Sequence, residues 1–201
     1  MARSIVSEIK RDHIHKLIAD GKRVDGRAWD QVREISVQTN VVETAEGSSR
    51  VRIGNTEVIV GVKMTVGEPF ADTPNRGVLS TNAELIPMAS PNFESGPPDE
   101  NSIELARVVD RGIRESQMID LEKLCIEPGK KVWINFVDIY VLDFDGNLFD
   151  ACNLGAVTAI KSAIVPAKAN GLGEDYPMPV TCTPISVTSV QIENSILVDP
   201  T

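Results

Sequence analysis

The strongest constraint on the fold lies in residues 34–65, where side chains alternate instead of recurring at a helical interval. Ile35, Val37, Thr39 and Val41 take every second position, Val51 and Ile53 repeat the pattern, and Thr56 to Met64 is β-branched and mostly apolar. A period of two places one set of side chains on one side of a pleated strand. Glu46-Gly47 and Gly54-Asn55 punctuate the runs as turns. Three consecutive strands joined so tightly specify an antiparallel meander, and an all-helical fold is excluded. Further strands are expected at Asn82–Ile86 and at Val132–Leu142, the latter ended by Asp145-Gly146.

Other segments have helical spacing. Ile5, Ile9, Ile14, Leu17 and Ile18 recur along residues 5–19 and stop at Gly21, followed by the charged turn Lys22-Arg23-Val24-Asp25-Gly26-Arg27. Pro87–Asn101 carries four prolines and Gly96 and reads as a long surface loop. Ser102 is the expected cap of a helix running to about Ile119. Small residues from Asn153 to Val165 predict a second, buried helix stopped before Pro166. Pro179–Val190 reads as a strand with which Ile196–Val198 could pair. The order predicts an α+β domain over residues 1–201, with helices on a mixed sheet. Residues 5–33 form its helix and turn, 34–165 a first half, and 166–201 the start of a second half that looks truncated.

Charge limits the function. There are 20 Lys plus Arg against 29 Asp plus Glu, a net charge of -9, so nucleic acid cannot be held by bulk positive charge and needs a local basic site. Residues 1–33 nevertheless hold eight basic groups and five acidic ones. That arm either packs against an acidic partner or is an ordinary solvated helix. Cys125, Cys152 and Cys182 form no CxxC pair, and they read as buried thiols in a reducing compartment. With no apolar run of membrane-spanning length and no signal-like N-terminus, the cytoplasm is the expected location. His13 and His15 point to different sides of a helix, and Asp143 and Asp145 read as a turn. No metal and no cofactor is expected, and no nucleotide-binding or nucleophile motif occurs.

The helix predicted at 102–119 carries the most chemistry. At about 100° per residue, Leu105, Val108, Val109, Gly112 and Ser116 fall on one broad face, and Arg107, Arg111 and Arg114 cluster opposite. Three guanidiniums in a stripe can grip phosphates bidentately. The alternative is a solvated face whose arginines pair with Glu104 and Asp110 three or four residues away.

These residues resemble a known family. Lys22-Arg23-x-Asp25-Gly26-Arg27 is similar to the opening signature of the RNase PH-like proteins, and Gly47-Ser48 with Gly54-Asn55-Thr56-x-Val58 to their hairpin. More specific matches are Gly67-Glu68-Pro69-Phe70-x-Asp72-x-Pro74 and Pro91-x-Phe93-Glu94-x-Gly96-x-Pro98-x-Glu100. Glu104-Leu105-Ala106-Arg107-Val108-Val109-Asp110-Arg111 and Val141-Leu142-Asp143-x-Asp145-Gly146-Asn147 continue the match. From about residue 5 to the last residue, the set looks like the non-catalytic RNase PH-like subunits of the archaeal exosome.

The resemblance implies the RNase PH fold, built from ribosomal-protein-S5-domain-2-like βαβ units. It implies a hexameric ring, a trimer of heterodimers with a catalytic paralogue, under caps of S1/KH-type subunits. Single-stranded RNA threads such a ring and is degraded 3′ to 5′ by phosphorolysis. Arg107 and Arg111 match the arginines that line the RNA path in this subunit type. Arg114 shares their face with no family role. Active relatives carry a Ser/Thr-Arg pair for inorganic phosphate where this chain has Leu148 and Phe149, and an Asp pair after the equivalent of Asp199-Pro200, where it ends. Leu and Phe can neither donate to an oxyanion nor neutralise it, so no catalytic residue is assigned. The expectation is a subunit that is not itself an enzyme. The alternatives are a self-sufficient phosphorolytic exoribonuclease and a purely architectural ring subunit without RNA contact.

Overall fold

A computed structural model describes residues 5–201. The chain forms two compact units, one of Glu34–Ser186 and one that joins the segment ending at Arg33 to Val187–Thr201.

The larger unit is built on the predicted meander: β1 (Ile35–Thr39), β2 (Gly47–Ile53) and β3 (Thr56–Gly67) pair antiparallel in sequence. β4 (Val78–Leu85) starts four residues before the expected Asn82. α2 (Glu100–Glu115) follows, α1 being the N-terminal helix of the smaller unit. β5 (Cys125–Glu127) and the long β6 (Lys131–Asp143) complete a mixed sheet in the order β1-β2-β3-β6-β4, with β5 paired to β6. β6 runs antiparallel to β3 and parallel to β4.

One sheet face is apolar and covered. Val58, Val60, Val62 and Met64 of β3 and Val137, Ile139 and Val141 of β6 alternate onto it and form the core with α2 and α3 (Leu148–Ser162). α3 starts earlier than expected. Asn147 caps it, accepting from the backbone N–H of Asp150, and the helix ends at Ser162. Ile164–Val165 is not helical: it is β7, paired with β8 (Tyr176–Pro177). Gly47, expected as a turn residue, lies in β2 under α3, where a Cβ would meet the Ala159 carbonyl oxygen at 2.4 Å.

Pro179–Val190 is not the strand its alternation suggested. Pro179–Thr181 is tied to the chain after α2: Asp120 N–H donates to the Pro179 carbonyl (2.9 Å) and Thr181 N–H to that of Met118 (2.8 Å). The residues beyond belong to no strand before Ser189. Nor are all three thiols buried. Cys152 is, and burial pushes its pKa up; Cys125 is half-buried and Cys182 exposed.

In the smaller unit α1 (Ile5–Ala19) precedes the charged turn, and β9 (Ser189–Ile192) pairs with β10 (Ser195–Val198) in a hairpin. Three arginines of the basic arm are taken up within this unit. Asp199, 2% exposed, accepts from Arg27 (2.7 Å), and Arg33 bonds both of its carboxylate oxygens (2.8 and 2.7 Å). Arg23 donates to the Val198 and Asp199 carbonyls (2.8 and 3.0 Å) and, like Arg27, to Asp25. The acidic counterpart of the signature turn is therefore in the same chain, about 170 residues on. Burial alone would raise the Asp25 pKa, but hydrogen bonds from Arg27, with the Arg23 charge nearby, hold it below the ordinary carboxylate value.

Candidate nucleic-acid interface

The site is set by how α2 starts and which side it buries. Its cap is Asp99, not Ser102: the Asp99 carboxylate accepts from the Ser102 N–H (2.8 Å). That bond is the main reason the Asp99 pKa lies below the ordinary value. The Ser102 hydroxyl instead donates to the Asp99 carbonyl (2.9 Å) and is buried. An aspartate preceding the first turn satisfies an orphan N–H and complements the positive end of the helix dipole. The helix ends at Glu115, one residue before the Ser116 cap, rather than near Ile119.

Leu105, Val109 and Ile113 form the buried seam with Ser102. Val108, expected on that seam, is 42% exposed, because Ile113 completes the stripe instead. The opposite face carries Arg107 and Arg111, about 6 Å apart along the axis. They sit in a shallow depression with Glu100, Ile103, Glu104 and Val108, bordered by no other element. Among the described residues, neither arginine has a hydrogen bond or ion pair. The alternative pairing with Glu104 does not form, and both arginines are exposed.

Arg114 parts from them. Its guanidinium lies on Asp110 through Nε (2.8 Å) and Nη2 (2.9 Å), and Nη2 also donates to the Leu79 carbonyl of β4 (3.1 Å). Asp110 also accepts from Thr81 of β4 (3.2 Å). Hydrogen bonding to Asp110 raises the Arg114 pKa further. Arg114 thus fastens α2 to the sheet edge, and the three-arginine stripe reduces to a pair. Sequence spacing could not show this, since the Leu79 carbonyl is 35 residues away.

The start of α3 is the second place where chemistry was expected. Thr56 donates to the Gly146 carbonyl (2.7 Å) and accepts from the Asp145 N–H (3.0 Å), while Asn55 donates to Asp145 (3.1 Å). These bonds tie the β2–β3 hairpin to the Asp145-Gly146 turn. Leu148 and Phe149, the first two helical residues, pack against the core. The first turn holds its own anion: Asp150 accepts from Asn147 (2.8 Å) and Ser186 (2.7 Å). A carboxylate there takes up the helix-end potential that would otherwise attract phosphate. Among the described residues, no three His, Cys, Asp or Glu side chains are grouped to hold a metal ion. His15 bonds Glu193 (2.9 Å).

A mixed sheet with two helices on one face, flanked in sequence by the two segments of a smaller unit, defines a class, and the comparisons with known proteins agree with it. The model of the 3′ exoribonuclease family, domain 1 (RNase PH), matches residues 31–166. The chain belongs to this RNase PH family, and within it to the family of exosome complex component Rrp42. It is 57% identical to the exosome complex component Rrp42 of Methanocella arvoryzae and 58% identical to that of Archaeoglobus fulgidus, in each case over 100% of this chain and 77% of the relative. A chain of the Archaeoglobus fulgidus exosome solved with RNA bound to the active site matches with a TM-score of 0.94 at 58% identity, covering 98% of this chain and 78% of that one. A chain of an archaeal exosome core matches with a TM-score of 0.88 at 54% identity, over 98% and 75%.

Proposed function

We propose that this chain is a non-catalytic ring subunit of an archaeal-type exosome that supplies RNA contacts, while a catalytic RNase PH-type paralogue supplies the chemistry. The observation that carries the reading is the solvent-facing, unpaired Arg107 and Arg111 in a chain whose net charge is -9. A cationic pair left without carboxylate partners on an acidic molecule is a local phosphate site. Its contacts go to backbone charge and not to base edges, so every RNA sequence is held alike. Arg114 has no share in the contact, because Asp110 and the Leu79 carbonyl already occupy it.

The non-catalytic part of the reading rests on the first turn of α3. Phosphorolysis needs the attacking phosphate held in line and the leaving charge neutralised. Leu148 and Phe149 offer neither, and Asp150 repels a second anion. The absence of both donors is worth on the order of 10³-fold or more in rate. The hexameric arrangement, the S1/KH-type caps and the cytoplasmic location belong to the same proposal and follow from the family resemblance.

The test is phosphate-dependent release of nucleoside diphosphates from single-stranded poly(A). The chain alone should release none above background, and mixing with the paralogue should give one defined ring species that does. Sustained release by a preparation free of the paralogue overturns the non-catalytic assignment. A chain that stays apart from the paralogue overturns the ring assignment.

A further inference from the structure

Beside the arginine pair stands a carboxylate with nothing to neutralise it. Glu104 lines the same shallow depression as Arg107 and Arg111, and it is exposed, as both arginines are. It lies three residues before Arg107, which puts their Cβ atoms about 5–6 Å apart on one side of the helix. Among the described residues Glu104 has no hydrogen bond or ion pair.

A free carboxylate next to a phosphate site is unfavourable on its own. A phosphodiester held by Arg107 brings negative charge within one helical turn of Glu104, and the two repel. The repulsion is offset when the strand also brings a hydrogen-bond donor, because a bond to a charged acceptor is stronger than one between neutral groups. Two kinds of donor come with a nucleic-acid strand. Base amino groups differ from one nucleotide to the next. The ribose 2′-hydroxyl is on every ribonucleotide, sits on the carbon next to the one that bears the 3′ phosphate, and is missing from DNA. The hydroxyl is the donor that suits a site whose cations read backbone charge and not bases.

We propose that Glu104 reads the sugar: its carboxylate accepts from the 2′-hydroxyl of the nucleotide whose 3′ phosphate Arg107 holds. Attraction and rejection then act together. RNA gains a bond, and a strand without the hydroxyl keeps only the repulsion. Glu100, seven residues before Arg107, is about 10 Å away along the axis and out of reach of the same nucleotide. The inference rests on the RNA-contact reading of Arg107 and Arg111.

The test is binding of a short RNA and of its 2′-fluoro counterpart by the assembled ring, in phosphate-free buffer so that neither strand is phosphorolysed. Fluorine keeps a ribose-like sugar pucker and removes the donor. Glu104→Ala should lower the ratio of RNA affinity to 2′-fluoro affinity by about three- to tenfold, equally for adenine and uracil sequences. Glu100→Ala should leave the ratio unchanged. Sedimentation velocity checks that each ring is intact. The sugar contact is overturned by a ratio that Glu104→Ala does not move, by one that Glu100→Ala moves as much, or by a change confined to one base. Arg107→Ala with Arg111→Ala separates this inference from the reading beneath it. If the pair matters to RNA affinity and Glu104→Ala leaves the ratio alone, only the sugar contact fails. If the pair does not matter, the RNA contact fails and the sugar contact fails with it.

Discussion

Asp199 holds three arginines of the smaller unit together through its carboxylate and its backbone carbonyl, and it is buried. Removing one partner from a buried ionic cluster leaves charge uncompensated, at a cost of about 3–5 kcal/mol. Asp199→Ala should therefore destabilise the chain by roughly that amount in urea denaturation, with the largest loss of amide protection in β9–β10 and the Lys22–Arg27 turn. Carboxylates elsewhere give a pH dependence of two signs. Asp25, Asp99 and Asp120 have depressed folded values, so their stabilisation is complete above the ordinary aspartate value of about 3.9 and is lost as pH falls below it. Asp138 is the opposite case: burial and the adjacent Glu84 raise its value, so its charged form costs stability at neutral pH and protonation relieves the cost. Asp138→Asn should raise stability at pH 7 by less than about 1 kcal/mol, with the gain vanishing near pH 4. Thermal melts of the variant and the wild type across pH 3–7 measure both signs.

At the scale of elements, α3 reaches the sheet because glycines let it. A Cβ on Gly47 would lie 2.4 Å from the Ala159 carbonyl oxygen and 2.7 Å from the Ala163 Cα, both backbone atoms that cannot turn aside. Gly47→Ala should cost about 1–3 kcal/mol or more through overpacking, read as a lower midpoint in chemical denaturation with an unchanged slope. The alternation that announced β2, β3 and β6 was legible because each of these strands buries one face; β1 alternates in sequence as they do, although all five of its residues are exposed. The limits of α2 and α3 were less so. Asp99 and Ser102 are both good caps, and only the chain path selects Asp99. Val108 and Ile113 border the same seam, and the sheet beneath decides between them. Pro179–Val190 alternates as a strand does, but alternation supplies no neighbour to pair with. The two arginines of the candidate site could be read from helical spacing. The separation of Arg114 from them, and the clamp on Asp199, depend on partners 35 and more than 160 residues distant, which no local pattern encodes.

At the scale of the whole molecule, an acidic chain pairs nearly all of its described arginines internally and leaves Arg107 and Arg111, with several surface lysines, outside those pairs. The proposed role of those two is to meet RNA within a ring whose chemistry belongs to another subunit. Their loss should spare the fold, since Leu105, Val109 and Ile113 hold α2 down from the other side. The most direct measurement is the salt dependence of RNA affinity in the assembled ring, wild type against Arg107→Ala with Arg111→Ala, using a short single-stranded oligonucleotide. Each phosphate contact on a single strand contributes about 0.7 to the slope of log affinity against log salt, so the double substitution should weaken binding and flatten the slope by about 1.4 per chain engaged. An unchanged slope in an intact ring would refute the RNA contact and leave the two arginines as solvated helix charges.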